Sequence, residues 1–365
     1  MNILLVRLRL IGDVVFTTPA IGALRRRFPE ARLTYLVEEP AAAVVRHNVH
    51  LDEVLVARRV RGLARAKDDL ALGWQLRRRR FDLAIDFHGG PRASWLTWLS
   101  AARERIGYEV AGRSWMYTRV VARPRQLRRR HSVENQWDLL ADIGIDPPQR
   151  ARDALDMPED PAAVARVDAR LAQAGLTPAT PLVVVHVSAG NPFRRWPPAH
   201  FAALAAGLVA ADPARVVVLT AGPSESSAAE QIGAMARARA GSPQADRILR
   251  AGEFDLAELR ALIGRAVLYI GGDSGPLHVA GTTRTPVVGL FGPTLAVRSA
   301  PWRDPAIPTR SVEPPPLPCR PCDQRVCEPG DFRCLGLIAP EAVLAEAEAV
   351  VGECRVTRQR DEHVC

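Results

Sequence analysis

Short apolar runs alternate with longer amphipathic ones along this chain, and the alternation starts twice. Ile3–Leu8 reads as a buried strand and Thr18–Arg27 as the helix after it. Leu33–Val37 and Phe81–Phe87 (FDLAIDF) read as further strands, the second closing on His88-Gly89-Gly90. The pattern pauses over Pro147–Pro181, where a helix near Ala162–Ala174 suggests a connection between domains. It resumes with strands at Leu182–Val187, Val216–Thr220, Val267–Ile270 and Pro286–Phe291, and with helices at His200–Ala211, Glu225–Arg239 and Leu256–Ile263. A strand that returns through a helix runs parallel to its predecessor, so the sequence predicts an α/β chain of two doubly wound parallel-sheet domains facing across a cleft. The expected division is 1–175, 176–338 and a C-terminal helix over 339–353 (Pro340–Val351 at its centre) that crosses back to the first domain. A loose tail follows over 354–365. At 365 residues and 47% hydrophobic, the chain has material for two cores.

Four strand ends carry the polar residues. In GGDSGPLHVAGTTRTPVVGLFGPT (271–294), a strand ends at Gly271-Gly272, then Asp273, Ser274, Gly275 and Pro276 lead into a helix-compatible run containing His278. Glycines allow close backbone approach, and a strand–turn–helix of this kind suits a phosphate or diphosphate. A plain capped helix and a satisfied buried histidine are the alternatives. In VRLRLIGDVVFTTPAIG (6–22), Gly12 is expected to make the turn. Asp13 stands where a general base would, although a cap for the next helix has the same signature; Thr17 and Thr18 are equally open. HVSAGNPFRRWPPAHF (186–201) places Ser188 at a strand end and Arg194-Arg195 before Trp196-Pro197. A guanidinium here suits a diphosphate, or belongs to a surface pair. LTAGPSESS (219–227) ends a strand near Glu225, which suits ribose hydroxyls or an exposed helix start.

The charge is uneven. Residues 1–150 hold 27 Arg and Lys against 16 Asp and Glu, an excess of 11 positive charges, whereas the remainder holds 22 against 24. Runs such as Arg77–Arg80 and Arg128–Arg130 point toward phosphate-rich partners or an anionic membrane, or reflect an arginine-biased composition in which Lys67 is the only lysine. No zinc finger or RNP-like module supports a nucleic-acid partner. No apolar run approaches the roughly 20 residues that cross a bilayer, and the arginines in MNILLVRLRLIGD break any secretory pattern, so the expected location is cytoplasmic. In that compartment the six cysteines read as thiols or a metal site. Cys319, Cys322, Cys327 and Cys334 fall within 16 residues, a density that suits structural zinc or iron, or four unligated thiols; Cys354 and Cys365 look incidental.

LRLIGDVVFTTPAIGALRRRFPEA, FDLAIDFHGGPRASWLTWLSAARERIGY, HVSAGNPFRRWP and GGDSGPLHVAGTTRTPVVGLFGPT occur in an order and spacing that resemble family 9 glycosyltransferases, the ADP-heptose:lipopolysaccharide heptosyltransferases. The last fits the pattern D-[ST]-G-x-x-H-x-A. The resemblance implies a GT-B fold, with an acceptor on the first domain, an ADP-sugar donor on the second and inverting transfer of a heptose to a phosphorylated, lipid-linked core sugar. It assigns the base to Asp13 and the donor set to Ser188, Arg194, Glu225, Phe254, Asp273, Ser274, Gly275 and His278. Arg194 stands where relatives have a lysine. Thr17, Thr18, His88 and Arg92 become candidates for the acceptor, His88 replacing a usual Gln. No cofactor is required for such chemistry; separately, the basic excess of residues 1–150 suggests a peripheral position on the inner face of the inner membrane. Another nucleotide sugar or glycan on the same fold, a nucleotide-sugar epimerase and a basic adaptor are the competing readings.

Overall fold

The computed structural model describes residues 1–60, 62–122 and 130–360, with Leu63 and residues 355–360 described by backbone alone. Arg128, Arg129 and Cys365 lie outside the described residues. The chain divides into two units, Met1–Pro158 and Glu159–Cys365.

The first unit is built on β1 (Asn2–Val6), β2 (Arg32–Glu38), β3 (Glu53–Ala57), β4 (Leu83–Asp86), β5 (Glu104–Tyr108) and β6 (Arg119–Val121), in the order β3-β2-β1-β4-β5-β6. The second uses β7 (Leu182–His186), β8 (Val216–Thr220), β9 (Ile248–Leu249), β10 (Leu268–Gly272), β11 (Val287–Leu290) and β12 (Thr309–Val312), in the order β12-β11-β10-β7-β8-β9. Among the described residues every strand pair is parallel. Both orders reverse once, between β1 and β4 and between β7 and β10. At such a reversal the connecting helices leave in opposite directions and open a crevice at the carboxyl ends of the strands.

The central strands are largely apolar because helices cover both faces of a parallel sheet. All five residues of β7 (LVVVH) are buried. In the first unit Leu4, Val6, Leu36, Ala84, Ala93 and Leu96 pack into one core. In the second, Val183, Val185, Leu268, Ile270 and Val288 pack with Leu204, Leu208 and Ile232.

The boundary falls before residue 175 because the helix Pro161–Gln173, started by the Asp160 carboxylate, belongs to the second unit. Arg166 reaches Glu258 at 2.7 Å and Arg170 reaches it at 3.3 Å, tying this helix to Leu256–Gly264. The C-terminal helix spans Pro340–Arg360, so 354–360 continue it rather than forming a loose tail. Its buried residues Val343, Ala347 and Val350 join the core of the second unit. Among the described residues no helix is long and apolar enough to cross a membrane.

Candidate active site

The reversal point of the second sheet assembles most of the expected donor residues. β10 lies beside β7 with Gly271 opposite His186. A Cβ on Gly272 would stand 3.1 Å from the Arg194 carbonyl, so a glycine there lets the 192–195 turn close against the strand end. Asp273 follows, 2% exposed, its amide donating to the Leu290 carbonyl at 3.1 Å. One carboxylate oxygen, Oδ2, accepts from the Thr294 hydroxyl at 2.6 Å and pairs with Arg194 Nη1 at 3.2 Å. His278 Nε2 stands 3.5 Å from the other, Oδ1. Ser274 starts the short helix Gly275–Ala280 from an extended backbone, and its hydroxyl donates back to the Gly272 carbonyl at 3.2 Å. The Ser274 side chain is therefore not a helix cap.

Arg194 ends a single turn, Pro192–Arg194, that begins when Asn191 accepts from the Phe193 amide at 3.0 Å. Its Nη1 also donates to the Asp273 carbonyl at 3.0 Å, and its Nε donates to Gln324 Oε1 at 2.6 Å. Nη2 has no partner among the described residues, and the side chain is 28% exposed. A cation with one donor-bearing edge open, at the reversal point of a parallel sheet, has the chemistry that suits an anion.

The neighbouring strand ends are cross-tied. His186 lies between the Thr220 and Ser188 hydroxyls, each at 3.1 Å, and burial pushes its pKa down to about 4. Ser188 accepts from the Gly222 amide at 3.0 Å and so joins the loops after β7 and β8. Arg195 pairs with Glu225 at 2.8 Å. Phe254 lies 4.0 Å beneath the Arg170 guanidinium.

The model of glycosyltransferase family 9 (heptosyltransferase) matches residues 70–328. The chain belongs to this family. Lipopolysaccharide heptosyltransferase 3 of Escherichia coli is 27% identical over 304 residues, covering 81% of this chain and 84% of the relative. A family 9 glycosyltransferase from Veillonella parvula aligns with a TM-score of 0.81 at 22% identity, over 96% of this chain and 97% of that one. E. coli ADP-heptose lps heptosyltransferase II aligns at 0.75 and 21%, over 97% and 100%. The fold is shared with both structures.

This glycosyltransferase treats its first-unit candidates differently. Asp13 lies in the helix Ile11–Val15 and forms an ion pair with Arg7, whose other branch donates to the Phe87 carbonyl at 2.7 Å. Gly12 is buried inside that helix, and the turn expected of it is made instead by Leu10, at φ +65°. The Thr17 hydroxyl donates to the Val14 carbonyl at 2.6 Å and meets the Tyr35 hydroxyl at 2.6 Å. That of Thr18 donates to the Val15 carbonyl and accepts from the Asp156 amide. Both threonines are buried, so neither presents a hydroxyl to an acceptor. Arg92 is held at 2.7 Å by both Glu38 and Asp69. It nevertheless borders a cavity of about 380 Å³ with Arg9, Arg59, Arg65, Glu38 and His88.

The four thiols of Cys319, Cys322, Cys327 and Cys334 line one cavity of about 310 Å³. Burial, reinforced by the neighbouring thiol charges, raises the Cys334 pKa. Among the described residues no group of three or more His, Cys, Asp or Glu is placed to hold a metal ion.

Four residues of the two sites lay outside the sequence expectations. Arg7 orients Asp13. Asp86 is wholly buried and accepts from the His88 and Gly89 amides and the Tyr117 hydroxyl, fixing the turn after β4. Burial raises its pKa against the pull of those bonds and of Arg7. Thr294 and Gln324 complete the surroundings of Asp273 and Arg194. A charged residue inside an apolar strand, as in FDLAIDF, is a signal for Asp86; long-range partners such as Gln324 leave none.

Proposed function

We propose that this glycosyltransferase moves a heptose from ADP-heptose to a phosphorylated, lipid-linked sugar of a lipopolysaccharide core, with inversion at the anomeric carbon. The observation that carries the reading is the Arg194–Asp273 pair at the reversal point of the second sheet. The names of the heptosyltransferase relatives supply the sugar and the nucleotide. In the reaction the bond between the anomeric carbon and the β-phosphate oxygen breaks as the acceptor oxygen attacks from the opposite face. ADP leaves with the bonding electron pair, and the acceptor proton passes to Asp13.

Each residue has a physical task. The sugar ring gains oxocarbenium character while charge grows on the leaving diphosphate. Arg194, with its open Nη2, meets that charge, and the backbone amides of Ser274 and Gly275 add donors at the same turn. Asp273 takes the sugar hydroxyls and His278 sits behind it. Glu225 serves the ribose and Phe254 borders the adenine. In the first unit, Arg7 holds the Asp13 carboxylate in one orientation, and the arginine-lined cavity beside His88 suits a phosphorylated acceptor. The basic excess of that unit suits a peripheral position on an anionic cytoplasmic leaflet.

The test is transfer of radiolabelled heptose from ADP-heptose to lipopolysaccharide cores truncated at successive sugars, with the product anomer read by NMR. One core length should accept heptose with inverted configuration. Retained configuration, or no transfer to any core, contradicts the reading. Sedimentation with vesicles should show binding that depends on anionic lipid; equal recovery with neutral vesicles contradicts the membrane assignment.

A further inference from the structure

The cysteine-rich loop reaches the donor cradle through one uncharged residue. Gln324 Oε1 accepts from Arg194 Nε at 2.6 Å and from Asn191 Nδ2 at 2.9 Å. Its backbone has φ +60°, a region that residues other than glycine seldom occupy and that the surroundings must enforce.

Those surroundings are firm. Arg320, at the start of the loop, donates to the carbonyls of Phe291 at 3.1 Å and Thr294 at 2.9 Å, to that of Gly292, and to Glu313 at 2.8 Å. The Cys322 amide donates to the Pro293 carbonyl at 3.2 Å. Phe332, at the far end, meets the edge of Phe193 with ring centroids 5.3 Å apart. Thr294 and Arg194 are the two groups that hold Asp273 Oδ2, so one loop braces both.

The geometry leaves Arg194 a single open group. Nε is taken by Gln324 and Nη1 by Asp273, which fixes the guanidinium plane and presents Nη2 outward. An unrestrained arginine loses rotamer freedom when it clamps an anion, and a held one loses less. The chemistry of the holder matters too. An amide oxygen orients a guanidinium without cancelling its charge, whereas a carboxylate at the same place would compete with the ligand.

We infer that Gln324 is a positioning residue for the donor site, aiming the Arg194 guanidinium at the terminal phosphate of a nucleoside diphosphate. This inference rests on the reading of the cradle as a nucleotide-diphosphate site. Asn191, which shares the same amide oxygen, is the secondary brace.

Calorimetric titration with ADP and AMP separates the inference from the reading it rests on. The wild type should prefer ADP to AMP, and Arg194→Met should abolish the preference. Gln324→Met, which keeps side-chain length but removes the acceptor, should lower the preference about tenfold with AMP affinity unchanged. Gln324→Glu, which keeps the acceptors and adds a charge, should lower it at least as far; it serves also if the Met variant fails to fold, as judged by its thermal midpoint. In an Arg194→Met background neither change should have a further effect. If Arg194→Met abolishes the preference while the folded Gln324 variants retain it, the positioning role is wrong and the cradle reading stands. If the wild type shows no preference for ADP over AMP, the cradle reading fails and takes the inference with it.

Discussion

Arg92 and Arg194 both stand after a strand beside the reversal of their sheet, β4 in the first unit and β7 in the second, and have opposite fates. Arg92 is 7% exposed, held by two carboxylates and by the Arg58 carbonyl at 3.0 Å. Arg194 is 28% exposed, held by one carboxylate and two uncharged oxygens. Two carboxylates balance Arg92, whereas Arg194 keeps one edge open. Position at a strand end nominates a residue for function, and the number of charges already spent on it decides.

Breaking the comparison at its most reactive point has the largest expected effect. Asp13→Asn should lower heptose transfer by about 10²- to 10⁴-fold, as loss of a general base does, while nucleotide binding stays unchanged. Transfer within threefold of wild type would remove Asp13 from the chemistry. Arg92→Met leaves buried Glu38 without its cation and Asp69 with the longer Arg65 pair at 3.7 Å, and should cost about 3–5 kcal/mol of stability in denaturant unfolding. Arg194→Met should cost less, because its partner Asp273 keeps the Thr294 bond. Equal losses would erase the distinction between the two arginines.

The second unit also carries its own pH sensitivity. His186 has a pKa of about 4 in the fold against an ordinary 6.5, because burial disfavours its charged form. Between those values the unfolded chain binds the proton and the folded chain does not. The stability from neutral His186 is full above pH 6.5 and falls as pH drops toward 4, by about 3 kcal/mol. Urea midpoints across that range should show the slope, and His186→Gln should flatten it; an unaltered slope would assign it to other groups. The smallest effect belongs to Arg195, whose exposed pair with Glu225 should contribute less than about 1 kcal/mol when Arg195→Met is compared with wild type.

Much of this was legible in the sequence because parallel sheets write themselves in apolar runs. LVVVH, VVVLT and FDLAIDF needed no partner to be read as strands, and each ends where polar residues gather. Residue by residue, the second unit was legible where a glycine lets backbone come close: Gly272 locates Asp273 and Ser274. The sequence left Thr17, Thr18 and Arg92 open because a hydroxyl or guanidinium at a strand end looks the same whether it faces a ligand or a neighbouring element. Their partners Tyr35, Asp156, Glu38 and Asp69 lie 18 to 138 residues away. Gly12 misled for a local reason, since Leu10 takes the left-handed conformation that a glycine usually supplies. The cysteine spacing suggested a metal or four unligated thiols, and it gave no sign of the tie that the same loop makes to Arg194 through Gln324.

The most direct test of the central claim is calorimetric titration of the wild-type enzyme with ADP, UDP and GDP. If the Arg194–Asp273 cradle is the donor site of a heptosyltransferase, ADP binds and the other two bind at least tenfold more weakly. Preference for UDP or GDP, or no binding by any of the three, would contradict it.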